Sequence, residues 1–110
     1  MSIQEPVASI GHLDVSDRLR VTDYVDDSAT SGDRTVNRSR GKNAFAIGAA
    51  AVTITNSKCF ANSQVLASLD FIDATLTQIR TVVPAAGSFV ITGNANATAA
   101  TRFSWLVINP

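Results

Sequence analysis

The stretch Pro84-Ala85-Ala86-Gly87-Ser88-Phe89-Val90-Ile91-Thr92-Gly93-Asn94 decides the fold class. Pro84 to Gly87 is turn chemistry, because proline presets φ and glycine accepts the left-handed conformation. Ser88 to Thr92 is a run of β-branched and aromatic residues, the type that packs on a pleated surface. Gly93-Asn94 then ends it. Turn, strand and turn follow one another, and the same grammar extends in both directions.

Upstream, Thr75 to Val83 alternates with Leu76, Ile79 and Val82 imperfectly in phase, which predicts a bulge. Gln64 to Phe71 alternates with Val65, Ala67 and Leu69 on one face. Val52-Thr53-Ile54-Thr55 alternates and stops at Asn56-Ser57, and Ala44-Phe45-Ala46-Ile47 stops at Gly48. Downstream, Ala95 to Thr101 is Ala-rich, but Asn and Thr interrupt it, so it reads as a loop with at most one helical turn. Phe103 to Ile108 closes the chain as a final strand. The set predicts an all-β fold, a small antiparallel β-sandwich or barrel of five to seven short strands. Phe45, Phe71, Phe89, Phe103 and Trp105 supply the aromatic core. A carbohydrate-binding face on Trp105 is the alternative, and its neighbours Leu106-Val107-Ile108 favour burial instead.

The 110 residues suffice for one domain. Nine basic and nine acidic residues cancel, so nothing draws the chain in bulk toward nucleic acid or an anionic membrane. No apolar run approaches a membrane span, and Met1 to Glu5 lacks the pattern of a signal peptide. One cysteine, Cys59, excludes an internal disulfide and points to synthesis in a reducing compartment. One histidine, His12, leaves no multi-histidine metal site and few routes to a catalytic triad.

Charge is unevenly distributed. Residues 1–43 hold thirteen of the eighteen charges, which places a boundary near Gly41. Residues 1–43 then read as an extended charged N-terminal arm, and 44–110 as the compact β-domain. Within the arm, Leu13-Asp14-Val15-Ser16-Asp17-Arg18 and Leu19-Arg20-Val21-Thr22-Asp23-Tyr24 repeat an LxVxDx hexad. Leu13, Val15, Leu19 and Val21 share odd parity and so one face of a strand. Either this strand lies on its own domain as an ordinary edge, or it pairs with another copy or another protein by strand addition.

The ordered motifs Gly48-Ala49-Ala50-Ala51-Val52-Thr53-Ile54-Thr55-Asn56-Ser57, Ala61-Asn62-Ser63, Asp73-Ala74-Thr75, Val83-Pro84-Ala85-Ala86-Gly87-Ser88-Phe89 and Phe103 to Asn109 resemble a module of tailed-bacteriophage virion structural proteins. That module occurs among head decoration (cement) proteins, head fibres and tail fibres. The hexad is similar to the LxVxGxLxV shaft repeats of trimeric phage fibres, with Asp17 and Asp23 where Gly or Asn is commoner. The resemblance implies a β-rich, non-enzymatic homotrimer on the outer capsid surface of a virion, made in the host cytoplasm. Its partners would be the major capsid protein and further copies of itself, with no nucleic acid, membrane or cofactor. A chain this short suits a decoration protein that stabilises the shell; the alternative is a fibre tip that binds a host receptor or glycan. The expected contacts to capsid or neighbouring copy are Leu13, Val15, Leu19 and Val21, with Arg18, Arg20, Arg34, Arg38 and Arg40 suited to bidentate pairing with carboxylates.

Chemistry reads weakly. Asp70 and Asp73 form a carboxylate pair or, on the simpler reading, Asp73 opens a turn. Asp26, Asp27 and Asp33 lack the ligand rhythm of a Ca²⁺ loop and read as a solvated linker. Cys59 reads as a buried small hydrophobe, with no histidine near it. The basic run Asn37 to Lys42 has no interleaved aromatic, so partner contact is preferred to nucleic acid. No catalytic, metal or cofactor residue is expected.

Overall fold

The computed structural model describes residues 23–110. Eight strands form: β1 (Tyr24–Asp26), β2 (Arg34–Thr35), β3 (Arg40–Phe45), β4 (Ala51–Thr55), β5 (Gln64–Leu69), β6 (Ile79–Ala85), β7 (Ser88–Gly93) and β8 (Thr101–Ile108). They make two four-stranded sheets, β1-β3-β8-β5 and β2-β4-β7-β6. Their inner faces share one core, so the architecture is the expected all-β sandwich.

The strand count exceeds the expected range because β1 and β2 are only three and two residues long. Each pairs in parallel, β1 with β3 and β2 with β4. The remaining ladders are antiparallel. β3 runs through the position where the charge distribution placed a boundary. Residues 24–43 thus contribute β1, β2 and most of β3 to the sandwich, and the arm read over 1–43 is part of the domain over those residues.

Alternation sorts the side chains. On β8, Phe103, Trp105 and Val107 point inward while Arg102, Ser104 and Leu106 point outward, as the burial pattern records. Val52 and Ile54 of β4 face Phe89 and Ile91 of β7 in register. Phe45 lies 5.0 Å from Phe103 between ring centroids, and Phe89 lies 5.0 Å from Trp105. Both pairs are tilted, as aromatic quadrupoles prefer. Trp105 is buried, and its Nε1–H donates to Asn43 Oδ1 at 2.8 Å, so the indole's one polar atom is satisfied.

Two details differ from the sequence reading. Pro84 and Ala85 belong to β6, and the turn is the two-residue loop Ala86-Gly87, with Gly87 at φ 82°. Proline is tolerated there because β6 is an edge strand. Phe71 is 43% exposed and lies outside the core. β5 ends at Leu69, so Phe71 falls in the following loop, where Arg102 sits 5.4 Å over its ring. The expected irregularity in β6 is present as a register shift between Ile79 and Thr81.

Candidate functional site

The outer face of the first sheet carries the most varied chemistry. Two cross-strand rows run over it. Tyr24, Arg40, Leu106 and Leu66 are register neighbours across β1-β3-β8-β5, and so are Asp26, Lys42, Ser104 and Ser68. Arg40 lies 4.5 Å over the Tyr24 ring, a cation–π contact. Beyond it Leu66 is 48% exposed, and a shallow depression of about 350 Å³ opens between Arg40, Leu66, Ser68, Ser104 and Leu106.

Two members of the second row, Lys42 and Ser104, form a closed ring of hydrogen bonds with Asp70. Lys42 Nζ donates to Asp70 Oδ2 at 2.7 Å and to Ser104 Oγ at 2.7 Å, and Ser104 Oγ–H donates to Asp70 Oδ1 at 2.6 Å. Partial burial raises the Asp70 pKa, but the bonds from Lys42 and Ser104 outweigh it and hold the carboxyl below the usual range. Each of the three groups is bonded to both of the others. The ring fastens β3, β8 and the turn after β5 together.

The aspartates of the linker are engaged one by one. Asp27 receives Arg34 in a bidentate pair, Nε at 2.7 Å and Nη2 at 3.1 Å. Asp33 Oδ1 accepts the Thr53 N–H at 2.8 Å. Asp26 Oδ1 accepts the Ser28 N–H at 3.0 Å, a local turn bond. Asp23, the first described residue, is pinned to the start of β3. Its carboxylate accepts the Ser39 N–H at 2.8 Å and Oγ–H at 3.0 Å, with Arg38 at 3.4 Å and Lys58 at 3.5 Å. The Ser39 backbone bond leads in holding its carboxyl below the ordinary value.

Asp73 opens its turn, as read from sequence. It accepts N–H bonds from Thr75 at 3.1 Å, Leu76 at 3.3 Å and Thr98 at 2.9 Å, and the Thr98 hydroxyl at 2.7 Å. The two Thr98 bonds lead in driving its carboxyl far below the usual range. Asp70 and Asp73 therefore serve separate networks. Cys59 is buried, and its thiol contacts the Ser88 carbonyl at 3.3 Å.

Of the expected contact residues, Arg34 and Arg38 are paired within the chain to Asp27 and Asp23, and Arg40 stacks on Tyr24. Arg34 lies on the second sheet and Arg40 on the first. Leu13, Val15, Leu19, Val21, Arg18 and Arg20 lie outside the described residues. Sequence reading weighed Asp70 with Asp73 and Lys42 within a basic run, and it passed over Ser104 and the ring the three form. The only signal was a lysine and a serine on two strands and an aspartate just past a third, and only the register joins them. It also passed over Asn43 and Asn56, both fully buried. Asn56 Nδ2 donates to the Arg38 carbonyl at 2.7 Å and its Oδ1 accepts the Lys58 N–H at 2.8 Å, so it ties two loops.

No family model matches the chain, and no curated protein and no solved structure matches it.

Proposed function

We propose that this chain is a virion structural protein, a capsid decoration protein that binds the outside of a major capsid protein shell and stabilises it. The observation that carries the reading is the row Tyr24, Arg40, Leu106 and Leu66 on the outer face of the first sheet. Aromatic and arginine side chains beside exposed aliphatics are the composition of the central part of a protein–protein interface. The row begins on β1, where residues 1–22 enter the domain, so arm and face would engage one surface together. The resemblance of the ordered motifs to phage virion proteins supports the same reading; they fall on β4, on β6 and β7, on β8, and on the loops that hold Ala61–Ser63 and Asp73–Thr75. The mechanism is mass action. A protein that binds only the assembled shell shifts the equilibrium toward that shell. The working unit is a homotrimer on the virion's outer surface, without cofactor, nucleic acid or membrane, and it performs no catalysis.

A second reading is a fibre tip that binds a host receptor or glycan. Phe60 favours it, being 52% exposed in the loop after β4. Cryo-electron microscopy of virions purified from the source separates the two. We expect density for this chain on the capsid lattice, with the Tyr24–Leu66 row against capsid subunits. Density confined to a fibre or tail tip would overturn the decoration reading.

A further inference from the structure

The sandwich has four edge strands, and three are blunted. β1 and β2 are three and two residues long. β6 carries a register shift, Arg80 and Pro84, all of which discourage a further strand. β5 has none of these devices. It is six residues, QVLASL, without charge or proline, and it pairs with β8 in unbroken register.

The direction of its free hydrogen-bonding groups follows from the ladder. The Asp70 N–H donates to the Arg102 carbonyl across the β5–β8 ladder, and the Val107 N–H donates to Ser39 on the β3 side of β8. Alternation then turns the backbone groups of Gln64, Leu66 and Ser68 toward β8. Those of Val65, Ala67 and Leu69 point outward, and among the described residues no strand receives them. The core is also thin along this seam. Ala67 and Leu69 of β5, and Ile79 and Val82 of β6, are only partly buried against it.

A strand with apolar residues on one face and polar residues on the other would satisfy the free groups and cover the seam. Leu13 to Val21 has that pattern, with Leu13, Val15, Leu19 and Val21 on one parity and Asp14, Ser16, Arg18 and Arg20 on the other. Asp17 interrupts the apolar row, so each Leu-x-Val triplet is one pairing unit. Its attachment point is at the wrong margin for its own β5. The chain enters through Asp23 and β1, and β1 and β5 are opposite edges of the same sheet. A donor at one edge and an acceptor at the other give a head-to-tail contact, which makes a ring of copies where the rotation between them closes and a filament where it does not. Thr22 and Asp23 join that segment to β1 and span at most roughly 7 Å, so the acceptor is the β5 of a copy packed beside β1.

We propose that β5 accepts the Leu13–Val21 segment of a neighbouring copy as an added strand, and that this exchange closes the homo-oligomer. The inference deepens the decoration reading and rests on its homo-oligomer, with the hexad pairing by strand addition to another copy. It is tested on purified protein without particles, so particle binding keeps its own assay.

The test uses full-length variants and light scattering coupled to size exclusion. Val15→Pro with Leu19→Pro disables the donor. Ala67→Pro disables the acceptor, because the N–H it removes points away from β8. Should that variant fail to fold by circular dichroism, Ala67→Lys places an inward-pointing charge at the same site. We expect the unaltered chain to run as a closed oligomer and each variant alone as a monomer. Mixed, the two variants have one working donor and one working acceptor between them, and should form a 1:1 dimer that does not grow. An unaltered chain that is monomeric, a donor variant that still assembles, or a mixture that stays monomeric would each overturn the proposal. Pairing of the segment with its own β5 would appear as the first of these.

Discussion

At one margin of the sandwich lie β1 and β2, at the other β5 and β6. The first margin is closed by local means. Its strands are minimal and parallel, Val25 and Val36 reach the core, and the Asp27–Arg34 and Asp23–Arg38 pairs hold the connecting chain. The second has longer strands, a half-covered apolar seam and one unprotected edge. A margin finished with its own ion pairs has little left to offer an added strand. A margin left half-covered has free backbone groups and apolar area, the two things strand addition uses.

The largest test of this contrast is an added methyl group. A Cβ on Gly41 would meet Trp105 Cζ2 and the Val25 carbonyl oxygen, each at 2.8 Å, both parts of a packed frame. Gly41→Ala should cost about 1–3 kcal/mol in urea unfolding, as overpacking does. Ala67→Val, at the open seam, should stay within about 0.5 kcal/mol. Equal losses would mean the two margins are packed alike.

Asp73 comes next, since it holds the loop from β5 to β6 against Thr98. A carboxyl whose pKa is lowered by folding adds stability above its unfolded value. That contribution is lost as pH falls through the folded value. Asp73→Asn should therefore lower the melting temperature clearly at pH 7, and the gap to the unaltered chain should shrink below about pH 4, the unfolded carboxylate range. A gap that is constant with pH would show that the charge on Asp73 plays no part.

The smallest effect belongs to the first margin. The Arg34–Asp27 pair is partly exposed. Arg34→Met should cost less than Gly41→Ala, and the difference from the unaltered chain should fade in about 1 M NaCl, where exposed charges are screened. A loss that persists in salt would assign Arg34 a packing role instead.

The sequence carried β4, β5, β7 and β8 openly, because each sets mainly β-branched, leucine or aromatic residues at every second, inward position between turn residues. β3 was half hidden. Its inward residues Gly41 and Asn43 are as little hydrophobic as its outward Arg40 and Lys42, so alternation leaves no trace in hydropathy. Only the indole above them explains both: Gly41 makes room for Trp105, and Asn43 accepts its N–H. β1 and β2 were invisible for a different reason. Two or three residues carry no periodicity, and their parallel partners are set by tertiary placement. Phe71 misled because the alternation continues past Leu69 while the ladder does not. The Lys42-Asp70-Ser104 ring was illegible because register, not spacing, brings its members together.

The order of the strands also sets how the chain must fold. Successive strands fall in opposite sheets at every step except the β6–β7 hairpin. That hairpin is therefore the one pairing a nascent chain can close cheaply. Every other ladder waits for distant segments to meet, as when Asn43 finds Trp105 across 62 residues. The entropy of closing those loops is spent before the contacts form, so refolding belongs in the range of roughly milliseconds to seconds. Until β8 arrives between β3 and β5, the first sheet has no centre.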